Sequence, residues 1–269
     1  MGELVRVEED GRVRHVVLDR PEKRNAINLD VIRALYDAVR EVADDTEAHC
    51  VVVRGEGKAF CAGIDVTGLG EMAGETQSLR PFRRICIETV NLLENMEKPV
   101  IAQIHGACVG LGAEIAVACD MRVMAEDTIF GLPETRLGLI PDVGGTTRLP
   151  AIVGLGIAKE LVMTGRTIGA AECHRIGAAN RVASVVGLAD ETQALVDELL
   201  AAAPLAVGWS KGVLNGVARP TVTASLELEG AIQQNLVATE DFREAGMAFI
   251  EKRDPSWTGA PPGRETSKA

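Results

Sequence analysis

The sequence lacks an excess of positive charge. Its 269 residues include 28 Lys and Arg against 39 Asp and Glu, which gives a formal net charge of −11 at pH 7. Because charge-driven binding to nucleic acid or to anionic membranes needs basic patches, this balance argues against both partners. An anionic ligand would have to be held by a few local Lys or Arg side chains, or by backbone N–H groups at the start of a helix.

Paired cysteines and long apolar runs are also missing. The six cysteines show no CxxC spacing: they are Cys50, Cys61, Cys86, Cys108, Cys119 and Cys173. No signal-like apolar segment precedes the first charges, at Glu3 and Arg6. Gly, Glu or Asp interrupts every longer apolar stretch well before the ~18 residues that a membrane helix needs. We therefore expect a reduced, cytoplasmic protein without a membrane partner.

Several catalytic and metal-binding motifs are absent. The sequence contains no GxSxG, HExxH, GxxxxGK[ST] or EF-hand pattern, and its four histidines stand singly, so we predict no metal site. The stretch GACVGLGAE at 106–114 comes close to the dinucleotide fingerprint GxGxxG. It fails because Ile115 stands where the third glycine belongs, which disfavours a nicotinamide oxidoreductase.

Alternating strand and helix patterns predict an α/β fold. Between the first two strand-like segments, apolar residues recur at helical spacing from Leu29 to Val42, with Asn28 as the N-cap. The segments rich in β-branched or apolar residues that we interpret as strands are 13–19, 51–53, 99–106 and 121–125.

The last third of the chain is mostly helical. Pro204 interrupts the helical pattern, so we place a boundary near residue 200. The predicted helix at 240–253 carries Phe242, Ala245, Phe249 and Ile250 on one face. The predicted organisation is a core at 1–200, a helical region at 201–255 and a flexible tail at 256–269.

Two acidic residues outside any familiar motif are candidates for catalysis. Glu114 falls in the first turn of a predicted helix after Gly110 and Gly112, where it either complements the helix dipole or forms a buried acid or base among apolar neighbours. The glycines either bring backbone N–H groups close to an oxyanion or only let the helix pack tightly. Glu134 follows a proline in FGLPETRLGLIPDVGG, residues 130–145.

The order of six segments resembles the enoyl-CoA hydratase/isomerase superfamily, also called the crotonase superfamily. These segments are RPEKRNAIN (20–28), GKAFCAGID (57–65), KPVIAQIHGACVGLGAEIAVACDMRV (98–123), FGLPETRLGLIPDVGGTTRLPAIVG (130–154), MTGRTIGAAE (163–172) and GMAFIEKR (246–253). The resemblance implies an α/β spiral of ββα units with a helical C-terminal trimerisation region. It also implies a homotrimer or a dimer of trimers that acts on acyl-CoA thioesters. Coenzyme A would be part of the substrate, and no separate cofactor is expected.

The most similar activity is that of an enoyl-CoA hydratase, a hydro-lyase of fatty-acid β-oxidation. By position, the resemblance assigns the backbone N–H groups of Ile64 and Leu111 to an oxyanion hole, although the side chains there are commonly Ala and Gly. It assigns the two catalytic carboxylates to Glu114 and Glu134. For coenzyme A it suggests Lys23, Arg24, Ala26, Ala62, Gly63, Asp65, Val66, Gly110 and Lys252.

Asp142 leaves two interpretations open. It stands beside Pro141 and before two glycines, which is typical of a turn residue. The dienoyl-CoA isomerase branch carries a carboxylate at the corresponding place, so Asp142 is also a possible third carboxylate of an enoyl-CoA or dienoyl-CoA isomerase. We favour the turn interpretation. A non-catalytic acyl-CoA-binding member of the fold is the alternative from a different class.

Overall fold

A computed structural model describes residues 3–65, 76–218 and 222–258. The strands in chain order are β1 (Val5–Asp10), β2 (Val13–Leu18), β3 (Cys50–Gly55), β4 (Val100–Ile104), β5 (Ala107–Val109), β6 (Met121–Ala125), β7 (Ile129–Gly131), β8 (Thr167–Gly169) and β9 (Arg181–Ala183). One sheet has the order β1-β2-β3-β4-β6-β9 and another has the order β5-β7-β8. Apart from the antiparallel pairs β1–β2 and β7–β8, neighbouring strands run parallel.

The helices surround these sheets. They are α1 (Leu29–Asp44), α2 (Thr76–Asn95), α3 (Leu111–Ala118), α4 (Gly145–Val153), α5 (Leu155–Thr164), α6 (Ala170–Arg175), α7 (Leu188–Leu200), α8 (Pro204–Ala218), α9 (Val222–Leu236) and α10 (Glu240–Glu251). Two strands precede a helix in the successions β1-β2-α1, β4-β5-α3 and β6-β7-α4. Among the described residues, no helix has both the length and the apolar character needed to cross a membrane.

The four strands predicted from the sequence are confirmed as β2, β3, β4 and β6, and five strands were missed: β1, β5, β7, β8 and β9. Val51, Val52 and Val53 of β3 are fully buried, because parallel strands in the middle of a sheet are covered on both faces. Four of the missed strands have only three residues each, and the fifth, β1, has charged residues that weaken its pattern. It pairs in antiparallel register with β2 across a turn in which Gly11 has a φ of 55°.

The start and the buried face of the predicted first helix follow from local chemistry. Asn28 caps α1 as expected, since its side-chain oxygen accepts a hydrogen bond from Val31 N at 3.0 Å. The apolar residues at helical spacing form the buried face, which packs against α2 and the first sheet: Val31, Ile32, Leu35, Ala38, Val39 and Val42.

The apolar face predicted for the last helix is corrected. On α10, Ala245 and Ala248 are buried, whereas the side chains of Phe249 and Ile250 are 62% and 79% exposed. The helix thus packs its small residues against the rest of the protein, and its large apolar residues are exposed. The division into 1–200, 201–255 and 256–269 stays a prediction, and residues 259–269 lie outside the described ranges.

Candidate active site

The segment that follows β3 lies against strand β5. Cys61 N donates to Ala107 O at 3.0 Å, and Val109 N donates to Cys61 O at 3.1 Å. Gly63 has a φ of 90°, and a Cβ there would lie 2.9 Å from Val109 O and 3.6 Å from Leu111 N. Because only glycine tolerates this conformation and this contact, Gly63 can lie beside the first residue of α3.

Two backbone N–H groups without an acceptor among the described residues belong to this junction. Ile64 is bracketed by hydrogen bonds of its neighbours, from Ile27 N to Gly63 O at 2.8 Å and from Asp65 N to Ile27 O at 2.9 Å. Leu111 begins α3, where N–H groups have no partner within the helix. In the described part of the chain neither N–H has an acceptor. The fold therefore places Gly63, which precedes Ile64, beside Leu111 at the positive end of a helix dipole.

Glu114 lies on α3 with its side chain only 3% exposed. Its Oε1 accepts hydrogen bonds from Val143 N at 2.8 Å and from Gly145 N at 2.9 Å. Burial, followed by the charges of Glu134 and Asp142, raises the pKa of Glu114 well above its ordinary value. The dry surroundings of this carboxylate, one of the two alternatives from the sequence, are confirmed.

Glu134 begins a short 3-10 helix, Glu134–Leu137, and faces α3. A Cβ on Gly110 would lie 3.3 Å from its Oε1. Its Oε2 is buried and has no hydrogen-bond partner in the described part of the chain. Burial raises the pKa of Glu134 to about 8, opposed by a hydrogen bond from its own backbone N–H and assisted by the charge of Asp142. A buried acceptor without a donor lowers the stability of the fold by about 1–3 kcal/mol. This oxygen is therefore available to accept a hydrogen bond from a bound molecule.

The two glutamates titrate as a pair. Each lies in a dry environment, and the charge of Glu134 raises the pKa of Glu114. Two carboxylates in one low-dielectric site resist simultaneous ionisation, so ionisation of one makes ionisation of the other less favourable. Such a pair can accept one proton and donate another in the same reaction. Among the described residues, no group of three His, Cys, Asp or Glu could hold a metal ion.

Asp142 has a cationic partner that the sequence did not reveal. Its Oδ2 lies 2.9 Å from Nε of Arg83 on α2, and the same Nε donates to the Asp142 carbonyl oxygen at 3.1 Å. Burial raises the pKa of Asp142 to about 6, while Arg83 opposes the rise. Asp142 lines a small cavity together with Ile64.

The loop before α4 is held from two further sides. Gly144 N donates to Oε2 of Glu229 on α9 at 3.0 Å. From the other side, the fully buried Arg148 donates to Val143 O at 3.2 Å and forms an ion pair with Glu94 at 2.7 Å. Sequence reasoning missed these residues. Their one signal is that Arg148 and Glu229 stand at apolar-face positions of their helices.

Most of the residues predicted to contact coenzyme A lie near the junction, on the exposed surface or at the start of α3. Ala26, Ala62 and Gly63 lie near the junction, where Ala62 N donates to Arg24 O at 3.0 Å. Lys23 and Arg24 are exposed. Gly110, with a φ of 55°, is the N-cap of α3. Lys252 is exposed at the end of α10.

Asp65 behaves differently from the other predicted contacts. Its carboxylate is buried and lies 2.7 Å from Nη1 of Arg20. It therefore braces the loop between β2 and α1 instead of facing outward. Val66 lies outside the described residues. Asn25, also missed, is buried and donates to Ala59 O at 2.8 Å, which ties the same two loops together.

The motif order, the fold and this junction point to one family, and the comparisons decide it. A sequence model of the enoyl-CoA hydratase/isomerase family matches residues 8–260. The chain belongs to this family. The predicted family membership is thereby confirmed, and so is the α/β crotonase-like fold, which is shared with solved enoyl-CoA hydratase structures.

Relatives in the family are similar over nearly their whole length. The short-chain-enoyl-CoA hydratase of Clostridium acetobutylicum is 36% identical over 248 residues, which cover 92% of this chain and 94% of that protein. The carnitinyl-CoA dehydratase of Escherichia coli (strain SMS-3-5 / SECEC) is 34% identical over 264 residues, covering 96% of this chain and 100% of that one. The structure of carnitinyl-CoA hydratase from Mycobacterium avium matches with a TM-score of 0.86 at 32% identity, covering 97% and 100%.

Proposed function

We propose that this member of the enoyl-CoA hydratase/isomerase family adds water across the double bond of trans-2-enoyl-CoA thioesters. The single observation that carries the proposal is the buried Oε2 of Glu134, which has no donor in the described part of the chain and belongs to a carboxylate whose other oxygen lies beside Gly110, at the start of the helix that carries Glu114. A water molecule between the two carboxylates would satisfy this acceptor. The raised pKa values of both glutamates support the same reaction, because it needs one ionised and one protonated group.

The chemistry follows from the placement of these groups. The thioester oxygen accepts hydrogen bonds from the N–H groups of Ile64 and Leu111, which stabilise the enolate that forms during addition; each such donor is typically worth roughly 10²–10³-fold in rate. One carboxylate removes a proton from water as the water oxygen bonds to the β-carbon. The enolate then takes a proton at the α-carbon from a protonated carboxyl group of the pair, which completes addition of one water molecule. We assign neither step to a particular glutamate.

Coenzyme A and the subunit arrangement are part of the proposal. Lys23 and Arg24 are exposed beside the Ala62–Gly63 segment, so their charges are available to phosphate groups. We propose a trimer or a dimer of trimers in which the C-terminal helices meet neighbouring subunits. The exposed apolar side chains on α8 and α10 support this: Leu205, Trp209, Val213, Leu214, Val217, Met247, Phe249 and Ile250. Sedimentation analysis would measure the assembly directly.

The test is loss of the ultraviolet absorbance of the conjugated thioester after crotonyl-CoA is added to purified protein. Glu114→Gln and Glu134→Gln are assayed alongside. The matched control is Glu88→Gln, because Glu88 is a half-buried glutamate on α2, away from the site carboxylates. We expect hydration by wild-type protein and by the control, with most of the rate lost in both site variants. Wild-type protein that leaves crotonyl-CoA and longer enoyl thioesters unchanged would contradict hydration.

Isomerisation is the second candidate, and Asp142 is the observation that favours it. Asp142 lines a cavity with Ile64, and its charge reaches both glutamates. A 3,5-dienoyl thioester tests this candidate. If wild-type protein isomerises it and Asp142→Asn does not, while crotonyl-CoA stays unchanged, the isomerase replaces the hydratase. Binding of acyl-CoA without turnover of either substrate would instead indicate a non-catalytic member.

A further inference from the structure

Glu229 is a buried carboxylate that the reaction outlined above does not use. It belongs to α9, in the C-terminal part of the chain, and its side chain is only 4% exposed. Its Oε2 accepts from Gly144 N at 3.0 Å, and its Oε1 accepts from the hydroxyl groups of Thr146 and Thr147. These donors are uncharged, so three hydrogen bonds from a single short segment hold the carboxylate in place.

The same segment supplies the donors that hold Glu114. Three consecutive N–H groups alternate between two carboxylates: Val143 N and Gly145 N donate to Glu114, and Gly144 N donates to Glu229. Gly144 has a φ of 104°, a conformation that only glycine adopts without strain. Movement of Gly144 would therefore move both donors of Glu114.

We propose that Glu229 is a positioning residue for the reaction: it fixes the 143–147 segment from α9, so that the segment orients Glu114, and it adds negative charge behind that segment. This inference rests on the proposed hydration for its kinetic consequence. The physical coupling between Glu229 and Glu114 does not depend on which reaction the site performs.

Other charged groups also face this site from each neighbouring element. The 3-10 helix contributes Glu134, and the loop before α4 contributes Asp142 with its partner Arg83 on α2. Behind the loop lies the ion pair of Arg148 and Glu94. The nearby thiol of Cys86 is buried, and burial raises its pKa well above the ordinary value. Glu229 is the group whose charge raises the pKa of both Glu114 and Asp142 from the C-terminal part of the chain.

Two substitutions separate the position of Glu229 from its charge. Glu229→Gln keeps an oxygen that can accept from Gly144 N but removes the charge. Glu229→Asp keeps the charge but shortens the side chain by one methylene group. Glu227→Gln is the matched control, because Glu227 lies on the same helix and is exposed.

We expect both Glu229 variants to lower kcat roughly 10-fold or more with KM changed less than about twofold, since small misplacement of a catalytic group affects the chemical step. The pH profile of kcat/KM should move to lower pH in Glu229→Gln only, because loss of the negative charge lowers the pKa of the glutamate pair. A residue with only a structural role would leave the profile in place. The control should match wild-type protein.

An unchanged kcat in both Glu229 variants, or an unshifted profile in Glu229→Gln, would overturn the inference. If Glu229→Gln does not fold, Glu229→Asp decides: reduced kcat with unchanged KM supports the inference, and wild-type kcat overturns it. Titration of ¹³C-labelled Glu carboxyl groups by NMR needs no turnover. A Glu signal that titrates above pH 6 in wild-type protein should titrate at lower pH in Glu229→Gln. If wild-type protein hydrates no enoyl thioester but this shift is present, the proposed function fails while the role of Glu229 stands.

Discussion

Two buried charged clusters lie on opposite sides of one loop, and they differ in how their charges are balanced. On one side, the guanidinium group of Arg148 meets the carboxylate of Glu94 at 2.7 Å and also donates to Asn91 Oδ1 and Val143 O. On the other side, Glu114 and Glu134 have no cation within ion-pair distance among the described residues, and Glu134 Oε2 has no donor there at all.

The difference separates a structural cluster from a reactive one. A buried ion pair with all its hydrogen bonds made holds the loop rigid, because removal of either partner leaves an isolated buried charge. Two unbalanced carboxylates instead keep a proton at neutral pH and leave one acceptor unsatisfied. The loop from Val143 to Gly145 can therefore hold the titrating pair of glutamates in a fixed position.

The largest effect is expected when the reactive cluster is neutralised. Glu114→Gln and Glu134→Gln should each reduce the rate of crotonyl-CoA hydration by roughly 10²–10⁴-fold, which is the usual contribution of general acid–base catalysis. Thermal unfolding should occur at the same or a higher temperature, because Gln keeps the size of each side chain and cannot ionise in the buried site. A variant that loses activity and stability together would indicate a structural role instead.

The next largest effect concerns stability. Arg148→Met should lower the free energy of unfolding by about 3–5 kcal/mol, because it removes the guanidinium group that pairs with the buried carboxylate of Glu94. Urea denaturation measures the change. In the double variant with Glu94→Leu, the loss should be smaller than in Arg148→Met alone. An equal or larger loss would mean that the ion pair itself, and not the isolated charge, carries the stability.

A third prediction uses the raised pKa of Glu134. Its folded-state pKa is about 8, above the ordinary value of 4.5, so the folded protein binds the proton more tightly than the unfolded chain does. The corresponding stability is fully present below the ordinary pKa and is lost as pH rises to about 8. The urea midpoint of wild-type protein should therefore be lower at pH 8 than at pH 6. The difference between the two pH values should be smaller in Glu134→Gln.

The smallest effect is expected at a surface ion pair. Arg84 Nε lies 2.8 Å from Glu88 Oε1 on α2, with the two side chains 81% and 42% exposed. Water and salt screen such a pair, so Glu88→Gln should leave both the unfolding temperature and the hydration rate unchanged. A measurable loss would show that an ion pair on this helix can matter without burial.

The predictable part of the fold is the part that local patterns specify. The β-branched run of β3 and the Asn28 cap of α1 were correctly predicted, because burial periodicity and capping act over a few residues. Strand β1 was missed, since its charges hide a pairing that β2 supplies. The prediction of the buried face of α10 was wrong. Helical spacing places Phe249 and Ile250 on one face but does not show whether that face is buried or exposed.

At the site, the sequence by itself determined the family, and it predicted the two glutamates and offered close backbone approach as one role for the glycines. Each of these depends on residue type and order, which a single chain displays directly. Only the tertiary structure decided that Glu134 Oε2 lacks a donor, that Asp142 pairs with Arg83, and that Glu229 holds Gly144 from 85 residues away. Hydrogen bonds and pKa values depend on distance and burial, and these arise only when distant segments pack together.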